Sequence, residues 1–556
     1  MPQIKPKKLS DEEIKKTKKY SILDGSSYNV MYGFGEQYVT AYALKIGASS
    51  PEIGILSSVP AFLGSIFQIM GAKLTETYQD RKKIVLIFVF LQAMMYLPLF
   101  IIPLLTKNML ILTLIFSLYL IFANMAGPAW NSWIGDVVSE NERAQYFSKR
   151  NKIAITVLFL SVLFAGIILN YFSDMNIWIG FGILFTIAFF GRLASWYFLS
   201  RQYEPGYVVK KDDIFSFKDF LKRVPETNFG NFVIFRSLMA FAIMIASPFF
   251  AVYMLRDLNF NYIQYTTIIL TPMIIKVLTM TYWGEYADKF GTKKIMFISA
   301  FLIGLIPLEW LIFGYFYANT PYIFYLIILA ESLSGFAWAG FELTTFDYML
   351  ETAKPGKRTR AFAYFNVLFG FAVLVGGLLG AYLTYEIPDI SYHGIFIPAM
   401  LMIFFISAIM RCSVAIYFVN KMHEVRIDSP TSERQIFFDL IVAKPLNTAL
   451  AHTTYSINMA EKDIDTIKNS AQDTLDMITK PIQPMIKEVV DMVDAGLEKA
   501  EPLRKSIEPK LVRERKKIAY DNLVNHDYEK YIKQTKDHNK NNKNKKNYKR
   551  KFDKEE

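Results

Sequence analysis

The chain is 556 residues long and 53% hydrophobic, with 47 Phe and 33 Tyr. That fraction is too high for an ordinary soluble protein, and the apolar residues form runs about 20 residues long, which is the length that crosses the hydrocarbon core of a bilayer. The net charge of +12 is explained better by basic residues retained in cytoplasmic loops than by nucleic-acid binding. The single cysteine, Cys412, excludes an internal disulfide framework.

Twelve apolar segments are predicted to cross the membrane as helices, and we number them 1 to 12 in chain order. Segment 3 is the clearest, because residues 84–105 contain no charge, and segment 1 is the least clear, because it carries Asn29, Glu36 and Gln37. The N-terminal basic stretch has no apolar core of its own, so we expect no cleavable signal peptide. The predicted spans are 26–45, 52–73, 84–105, 109–135, 153–172, 175–199, 229–255, 262–284, 295–318, 322–347, 361–385 and 394–419.

The distribution of Lys and Arg predicts the topology. The loops that follow segments 2, 4, 6, 8 and 10 hold twenty of these residues, whereas the alternate loops and helix ends hold only Lys45, Lys107 and Arg256. Cytoplasmic loops retain the excess of basic residues. We therefore expect a multi-pass protein of the cell membrane with both termini in the cytoplasm.

Three patterns recur in the same order in the two halves of the sequence. The first is an acid–base pair followed by two lysines, the second is a basic loop, and the third is an arginine near the end of a segment. The acid–base pairs are Asp80-Arg81 and Asp288-Lys289, 208 residues apart, and the offset becomes 211 at the lysines after three extra residues in the second copy. The basic loops are 143–151 and 358–366, 215 residues apart, and the arginines are Arg192 and Arg411. This repetition predicts two six-helix bundles, 26–200 and 229–420, in parallel repeat and joined by a cytoplasmic linker, 201–228.

The two ends of the chain differ from the membrane core in composition. Residues 1–25 are predicted to be a cytoplasmic N-terminus, and residues 421–535 a helical cytoplasmic tail, because apolar residues recur three and four apart. The last stretch, 536–556, is basic, of low complexity and predicted to be disordered. The tail could pack on itself, self-associate or bind a cytoplasmic partner, and the basic end could attract anionic lipid.

No enzyme motif is present in the sequence. A glycine-rich phosphate loop ending in Gly-Lys-Ser/Thr is missing, which argues against a primary ATP-driven pump. The five His are scattered, with no metal-ligand spacing. We therefore expect no enzymatic activity, no cofactor, no metal site and no nucleic-acid partner.

Ionisable residues inside the apolar segments need an explanation, since each costs about 2.5–3.5 kcal/mol at a helix centre. Glu36 and Glu331 are hypothesised to bind substrate or a proton, with neutralisation by a neighbour such as Arg236 as the alternative for Glu36. Lys276 and Glu309, on consecutive segments, are predicted to form a structural ion pair. Arg192 and Arg411 lie near helix ends and are expected to snorkel to the interface, which is also the alternative for Arg236.

The loop Trp283–Lys294, "WGEYADKFGTKK", lies between two long apolar runs. It resembles the signature loop of major facilitator superfamily transporters, roughly G-x-x-x-D-[RK]-x-G-[RK]-[RK], which in that family lies between helices 2 and 3 and often again between helices 8 and 9. Two departures are visible: the first copy lacks the second glycine, and segment 5 lacks the Gly-Pro motif typical of drug/proton antiporters. The resemblance covers residues 20–420.

The resemblance implies an all-α integral membrane fold of twelve helices in two repeats, in which helices 1, 4, 7 and 10 line a central cavity. It also implies that loop acids and bases latch the cytoplasmic ends of the two halves in one state and release them in another. The implied cavity residues are Glu36, Asn124, Trp130, Asn131, Arg236, Glu331, Trp338 and Glu342. The implied gate residues are Asp80, Arg81, Asp136, Arg143, Gly284, Asp288, Lys289, Gly291, Asp347 and Arg358.

The sequence thus predicts a secondary transporter that moves a small solute by alternating access, with possible proton coupling. Aromatic rings with a few carboxylates and amides would suit a sugar or an amphiphilic or cationic compound. The alternative is a non-transporting membrane receptor or scaffold that acts through the tail.

Overall fold

The computed structural model of the chain describes residues 9–205, 217–353, 358–392, 395–425 and Ile436. Within these residues, eleven helices are long and apolar enough to cross a membrane, and they coincide with predicted segments 2 to 12. Apart from residues 421–425 and Ile436, the predicted tail and the basic end lie outside the described residues.

Most of the helices begin and end close to the predicted limits, but segment 5 begins at Glu140, thirteen residues before its predicted start. Several begin at a polar residue whose side chain accepts a hydrogen bond from the backbone of the first turn, as Asn108, Asn176 and Asn261 do for segments 4, 6 and 8. The bounds are Ser50–Tyr78 for segment 2, Arg81–Met94 and Tyr96–Thr106 for segment 3, Met109–Val137 for segment 4, Glu140–Ser173 for segment 5, Ile177–Ser200 for segment 6, Asn228–Met244, Ser247–Val252 and Tyr253–Asp257 for segment 7, Tyr262–Phe290 for segment 8, Thr292–Tyr317 for segment 9, Ile323–Thr352 for segment 10, Arg358–Glu386 for segment 11 and Ala399–Phe418 for segment 12.

Segment 1 is helical but broken. It runs through Asp11–Phe34, a 3₁₀ turn at Glu36–Tyr38 and a short helix, Val39–Ile46. The helix starts at Asp11 rather than at residue 26, because Ser10 and Glu13 form a capping box there. The break falls at Gly35, where a Cβ would lie 2.4 Å from the hydroxyl oxygen of Tyr96. Segment 1 packs against segments 5 and 6, so it completes the first six-helix bundle despite its polar composition.

The two halves use the same helix pairs. In the first half, segment 4 packs on segments 2 and 3, and segment 1 packs on segments 5 and 6. In the second half, segment 10 packs on segments 8 and 9, and segment 7 packs on segments 11 and 12. The predicted two-repeat architecture of the membrane core is therefore confirmed.

Short elements outside the membrane helices were not predicted. A two-stranded antiparallel hairpin, β1 Ile390–Tyr392 with β2 Ile395–Ile397, precedes segment 12. A helix at Phe217–Arg223 and a 3₁₀ turn at Val224–Glu226 lie in the linker before segment 7. The fold is therefore nearly, though not entirely, all-helical.

The halves meet through segment 2 with segment 11 and segment 5 with segment 8. We call the side with the loops after segments 2, 4, 6, 8 and 10 the basic-loop face, and the other side the opposite face. Near the opposite face one hydrophobic core contains residues of both halves, such as Tyr38 and Tyr265. Near the basic-loop face the cores are separate, one around Trp133 in the first half and two around Phe235 and Trp283 in the second. The hydrophobic cores of the described halves are thus merged near one face and separate near the other.

Candidate functional site

A tyrosine at the break of segment 1 joins the two halves near the opposite face. The Tyr38 hydroxyl donates to the backbone oxygen of Val162 on segment 5, at 2.8 Å, and shares a second 2.8 Å hydrogen bond with Thr266 Oγ1 on segment 8. Tyr38 is fully buried. At Gly166, a Cβ would lie 2.6 Å from the Cβ of Thr266. The missing side chain lets segments 5 and 8 approach closely, so this contact excludes water.

Small residues also allow a close helix approach between segments 2 and 11. A Cβ on Gly54 would lie 2.8 Å from the Cβ of Ala381, and a Cβ on Gly377 would lie 2.3 Å from the Cβ of Ser58. Small residues at helix interfaces allow the close backbone approach that drives helix association in membranes. These positions form a second close contact between the halves near the opposite face. We call that face the closed face, and the contacts of segment 5 with segment 8 and of segment 2 with segment 11 the closed seam.

Toward the basic-loop face the predicted gate residues Asp80, Arg81 and Asp136 contact residues of the first half and of the start of the linker. Arg81 has no exposed surface, and its guanidinium donates to Glu204 Oε1 at 3.0 Å, Asp136 Oδ2 at 2.6 Å and the backbone oxygen of Pro205 at 2.8 Å. Asp80 caps segment 3, since its Oδ1 accepts from the backbone nitrogen of Lys83 at 2.8 Å. All these partners belong to the first half or to the start of the linker.

The structure locates the three extra residues of the second copy of the repeat at this loop. Segments 3 and 9 begin at Arg81 and Thr292, so Asp80 corresponds to Gly291, and Asp288 lies in the last turn of segment 8. The turn after segment 2 is made by Gln79 with φ of 54°, and the turn after segment 8 by Gly291 with φ of 101°. The offset of 211 residues, predicted to follow the three extra residues of the second copy, is the one that separates the helix starts at Arg81 and Thr292.

Two carboxylates that no motif indicated repeat the same contact in both halves. Glu204, just after segment 6, accepts through Oε2 from the backbone nitrogen of Lys82 at 3.0 Å. Glu424, just after segment 12, accepts through Oε2 from the backbone nitrogen of Lys293 at 2.9 Å. Each acid thus ties the end of the sixth helix of its half to the start of the third. A search for acids 12 to 13 residues beyond the two matched arginines would have found them.

The other predicted gate residues lie at or near the ends of segments 5, 8, 10 and 11. Lys289 lies with its Nζ 4.9 Å from the ring centre of Phe290. A Cβ on Gly284 would lie 3.7 Å from Leu343 Cδ2. Asp347 is in segment 10, and Arg143 and Arg358 are in segments 5 and 11, with their side chains outside the described set.

The two predicted carboxylates Glu36 and Glu331 occupy comparable positions near the closed face. Glu36 Oε2 accepts from the hydroxyl of Tyr119 at 2.9 Å, and Glu331 Oε1 accepts from Trp310 Nε1 at 3.0 Å. Neither makes a salt bridge within the described residues. The alternative in which Arg236 neutralises Glu36 is wrong, since the Arg236 guanidinium lies over the rings of other residues.

The predicted ion pair between Lys276 and Glu309 is also wrong. Lys276 Nζ instead lies 2.8 Å from Glu342 Oε2, with the two side chains 33% and 45% exposed. Glu309 Oε2 is buried and has no hydrogen-bond partner among the described residues. The reason is the rotation of segment 8, which turns Lys276 toward segment 10. Charges exposed to lipid at this depth would be costly, so we infer that the pair faces the open space between the halves.

Of the remaining predicted cavity residues, some lie toward the open space between the halves and others lie in helix interfaces. Arg236 lies over Phe341 and Phe369, with its Cζ 4.8 and 5.0 Å from the ring centres. Trp338 packs edge-on against Phe341. Asn131 is exposed, and Asn124 bonds the backbone oxygen of Leu120 in its own helix.

The predicted snorkelling of Arg192 and Arg411 is wrong. Their exposed fractions are 5% and 3%, and both guanidiniums lie inside their bundles. Arg192 donates to Gln92 Oε1 at 2.8 Å and to Ser195 Oγ at 3.0 Å. It lines a cavity in the first half together with Asp24, Tyr28, Trp130 and Arg150. Of these, only Trp130 was predicted to be a site residue. Asp24 was not a candidate because it lies just before the predicted start of segment 1.

The fold and these contacts define a class: a multi-pass membrane protein of two six-helix halves, with a closed seam on one face and polar side chains between the halves. The family model of the Major Facilitator Superfamily matches residues 26–241 and 232–460. The chain therefore belongs to the Major Facilitator Superfamily, and it is a membrane transporter of that family. No curated protein matches it in sequence.

Solved structures support the same fold. A point mutant of the nucleoside transporter NupG superposes with a TM-score of 0.59 at 14% identity, over 73% of this chain and 100% of that one. An auto-inhibited POT family peptide transporter gives 0.58 at 10% identity, over 75% and 98%. A D-xylose-proton symporter gives 0.55 at 12% identity, over 74% and 98%. At these identities the likeness concerns the fold alone.

Proposed function

We propose that this protein is a secondary active transporter of the cell membrane that moves a small solute by alternating access. The basic-loop face is the cytoplasmic face, and both termini are cytoplasmic, because cytoplasmic loops retain the excess of Lys and Arg. The described conformation is then inward-facing. The protein changes the location of its solute and does no covalent chemistry on it.

The observation that carries this proposal is the asymmetry between the two faces. Near the opposite face the halves share one core, sealed by Tyr38 and by the Gly54–Ala381 contact. Toward the basic-loop face, Arg81 is bonded within its own half, and the Lys276–Glu342 pair is partly exposed. Rocking of the two halves about the middle of the bilayer would open the first face and close the second, as in transporters built from repeats.

A reversible cross-link tests the rocking motion. Gly54→Cys and Ala381→Cys, in a Cys412→Ser background, place two Cβ atoms 2.8 Å apart across the closed seam, slightly closer than the roughly 3.5–4.5 Å of a disulfide. Oxidation should stop solute counterflow in proteoliposomes, and reduction should restore it. The two single-cysteine variants are the controls. Complete cross-linking with unchanged flux would exclude this motion.

The solute for this assay comes from a thermal-shift screen of the purified protein. The panel contains sugars, amino acids, nucleosides, cationic compounds and organic anions. A solute that raises the unfolding temperature is then used, radiolabelled, in the counterflow assay.

We further propose that Glu36 and Glu331 couple transport to protons. Neither carboxylate makes a salt bridge within the described part of these membrane helices, and they accept hydrogen bonds from the neutral groups of Tyr119 and Trp310. A carboxyl in such surroundings can be protonated at moderate free-energy cost. Replacing either by Gln should leave counterflow intact but abolish accumulation driven by a pH gradient. Unchanged gradient-driven accumulation in both variants would refute the coupling.

The competing function is a receptor or scaffold that acts through the C-terminal tail. Deleting residues 426–556 separates the two functions. A transporter should keep its counterflow, because the helices described above end at residue 418. Loss of flux in a variant that is still folded and correctly inserted would favour a tail-dependent function.

A further inference from the structure

A cavity of about 440 Å³ lies inside the first half, within the range of small-molecule sites. Segments 1, 3, 4, 5 and 6 all contribute to its walls. Its polar lining includes Asp24, Arg150 and Arg192, and its aromatic lining includes Tyr28 and Trp130. The cavity thus combines a charged region with flat apolar walls.

The charges in this cavity do not balance. Asp24 accepts a 2.7 Å hydrogen bond from Ser195 Oγ, and its other oxygen lies 3.9 Å from Arg150 Nη2, which is a loose ion pair. Arg192 donates to the neutral groups of Gln92 and Ser195. Within the lining of the cavity, two guanidiniums therefore face one carboxylate. Removing an unpaired charge from water costs several kcal/mol, so an anion in the cavity would stabilise the cluster.

Two hydrogen-bond donors of the cluster are unused among the residues that the structure describes. Arg192 Nη2 makes no hydrogen bond within the described chain, and Trp130 Nε1 is buried without an acceptor there. Each guanidinium is held against a ring: Arg150 Cζ is 4.7 Å from the centre of the Trp130 ring, and Arg192 Cζ is 5.0 Å from that of Tyr28. Stacking orients the planar guanidinium, which suits it to bind a carboxylate or phosphate through two parallel hydrogen bonds.

The second half shows that the fold itself does not require this cluster. Arg411, the counterpart of Arg192, is also buried, but its guanidinium contacts the backbone oxygens of Ile303 and Ile243, each at 3.3 Å. The helix starts place Ile303 at the position of Gln92, and the matched loops place Phe365 at the position of Arg150. An apolar lining therefore serves the same helices equally well, and the polar cluster of the first half has a role other than folding.

We propose that this cavity is the solute site and that the solute is a small organic anion. Its carboxylate or phosphate lies between Arg150 and Arg192, and its apolar or aromatic body lies against Tyr28 and Trp130. The inference rests on the proposed transport function and names the substrate class. It differs from the sequence-based expectation of a sugar or a cation, because a second guanidinium repels cations and is left unpaired by a neutral sugar.

Probes of one shape and different charge test the substrate class. Benzoate, phenyl phosphate, benzyl alcohol, benzylamine and inorganic phosphate are titrated into the purified full-length protein, with unfolding temperature and tryptophan fluorescence as readouts. We expect benzoate or phenyl phosphate to bind at least tenfold more tightly than benzyl alcohol, and benzylamine not to bind. Preference for phenyl phosphate over benzoate would identify a phosphate group, and the reverse a carboxylate. Equal binding of all the aromatic probes would overturn the proposal.

Substitutions localise the binding. Arg150→Gln should weaken the binding of the preferred anion at least tenfold, or about 1.4 kcal/mol, and Arg150→Lys should weaken it less. Arg411→Gln is the matched control, because that arginine lies outside the cavity, and it should change the affinity less than twofold. If Arg192→Gln fails to fold, Arg150→Gln and Trp130→Phe still decide the question. Anion binding that neither Arg150→Gln nor Trp130→Phe weakens would overturn the assignment of the binding site to this cavity.

The proposed transport function and the proposed substrate class can be refuted separately. If the anion binds through Arg150 but no panel solute shows flux in proteoliposomes, the site stands and the transport function fails. If a neutral or cationic solute shows counterflow that Arg150→Gln leaves unchanged, transport stands and the anion inference fails.

Discussion

Replacing Glu204 by Gln should destabilise the first half more than the matched change destabilises the second. The Glu204 carboxylate accepts from the backbone nitrogens of Arg81 and Lys82 and from Arg81 Nε, each at 3.0 Å. Its side chain is 14% exposed and that of Arg81 is 0% exposed. The amide of Gln retains one acceptor oxygen but removes the charge that compensates Arg81.

The expected magnitude follows from the bonds that change. Hydrogen bonds to charged groups contribute about 1.5–3 kcal/mol each, and a buried arginine that loses its partner costs more. Because Asp136 remains as a second partner of Arg81, we expect a loss of about 2–3 kcal/mol for Glu204→Gln. Glu424→Gln affects the 2.9 Å bond from the backbone nitrogen of Lys293 and a local 3.1 Å bond from that of Val425, but no buried arginine, and should cost about 1 kcal/mol.

Unfolding in mixed detergent micelles, followed by circular dichroism, measures both variants under one condition. The double variant should show additive losses, since the two sites lie in different halves and share no partner. Equal destabilisation by the two single changes would refute the reasoning, because it would mean that the buried arginine contributes nothing to the difference.

Two further predictions concern packing and the exposed pair. Gly71→Ala should lower the free energy of unfolding by about 1–3 kcal/mol, because the new Cβ would lie 2.4 Å from the backbone oxygen of Met125. Gly127→Ala is the control and should be tolerated, because its Cβ would meet nothing within 4 Å. Similar unfolding temperatures for the two variants would contradict the close helix contact. A double-mutant cycle on Lys276→Gln and Glu342→Gln should give a coupling below about 1 kcal/mol, as for other partly exposed pairs, and a coupling above about 3 kcal/mol would show that the pair is buried away from water.

Most of the architecture could be predicted from the sequence, because its determinants are local. Apolar runs set the helices, and the recurrence of patterns indicated the two repeats, since a repeated unit folds in the same way wherever it occurs. Segment 1 was the exception on hydropathy, and it was recovered only through the alternation of charged loops. Its polar composition fits a helix that lies between segments 5 and 6 and breaks at Gly35.

The pairing of charges could not be predicted in the same way. Lys276 and Glu309 are on consecutive helices at similar depth, yet Lys276 binds Glu342. Depth along a helix follows from residue number, but the direction of a side chain depends on the rotation of the whole helix, which packing against every neighbour decides. The same reason placed Arg192 inside the bundle with Gln92 instead of at the interface.

The sequence by itself determined that this chain is a duplicated twelve-helix membrane protein with basic loops on one side, because length, apolarity and charge act residue by residue. Only the tertiary structure decided which face is closed and which polar groups meet. Tyr38 reaches Thr266 across 228 positions of chain, and Asp24 reaches Ser195 across 171. Contacts at such separation depend on close helix packing, as at Gly166, where an added Cβ would lie 2.6 Å from the Cβ of Thr266.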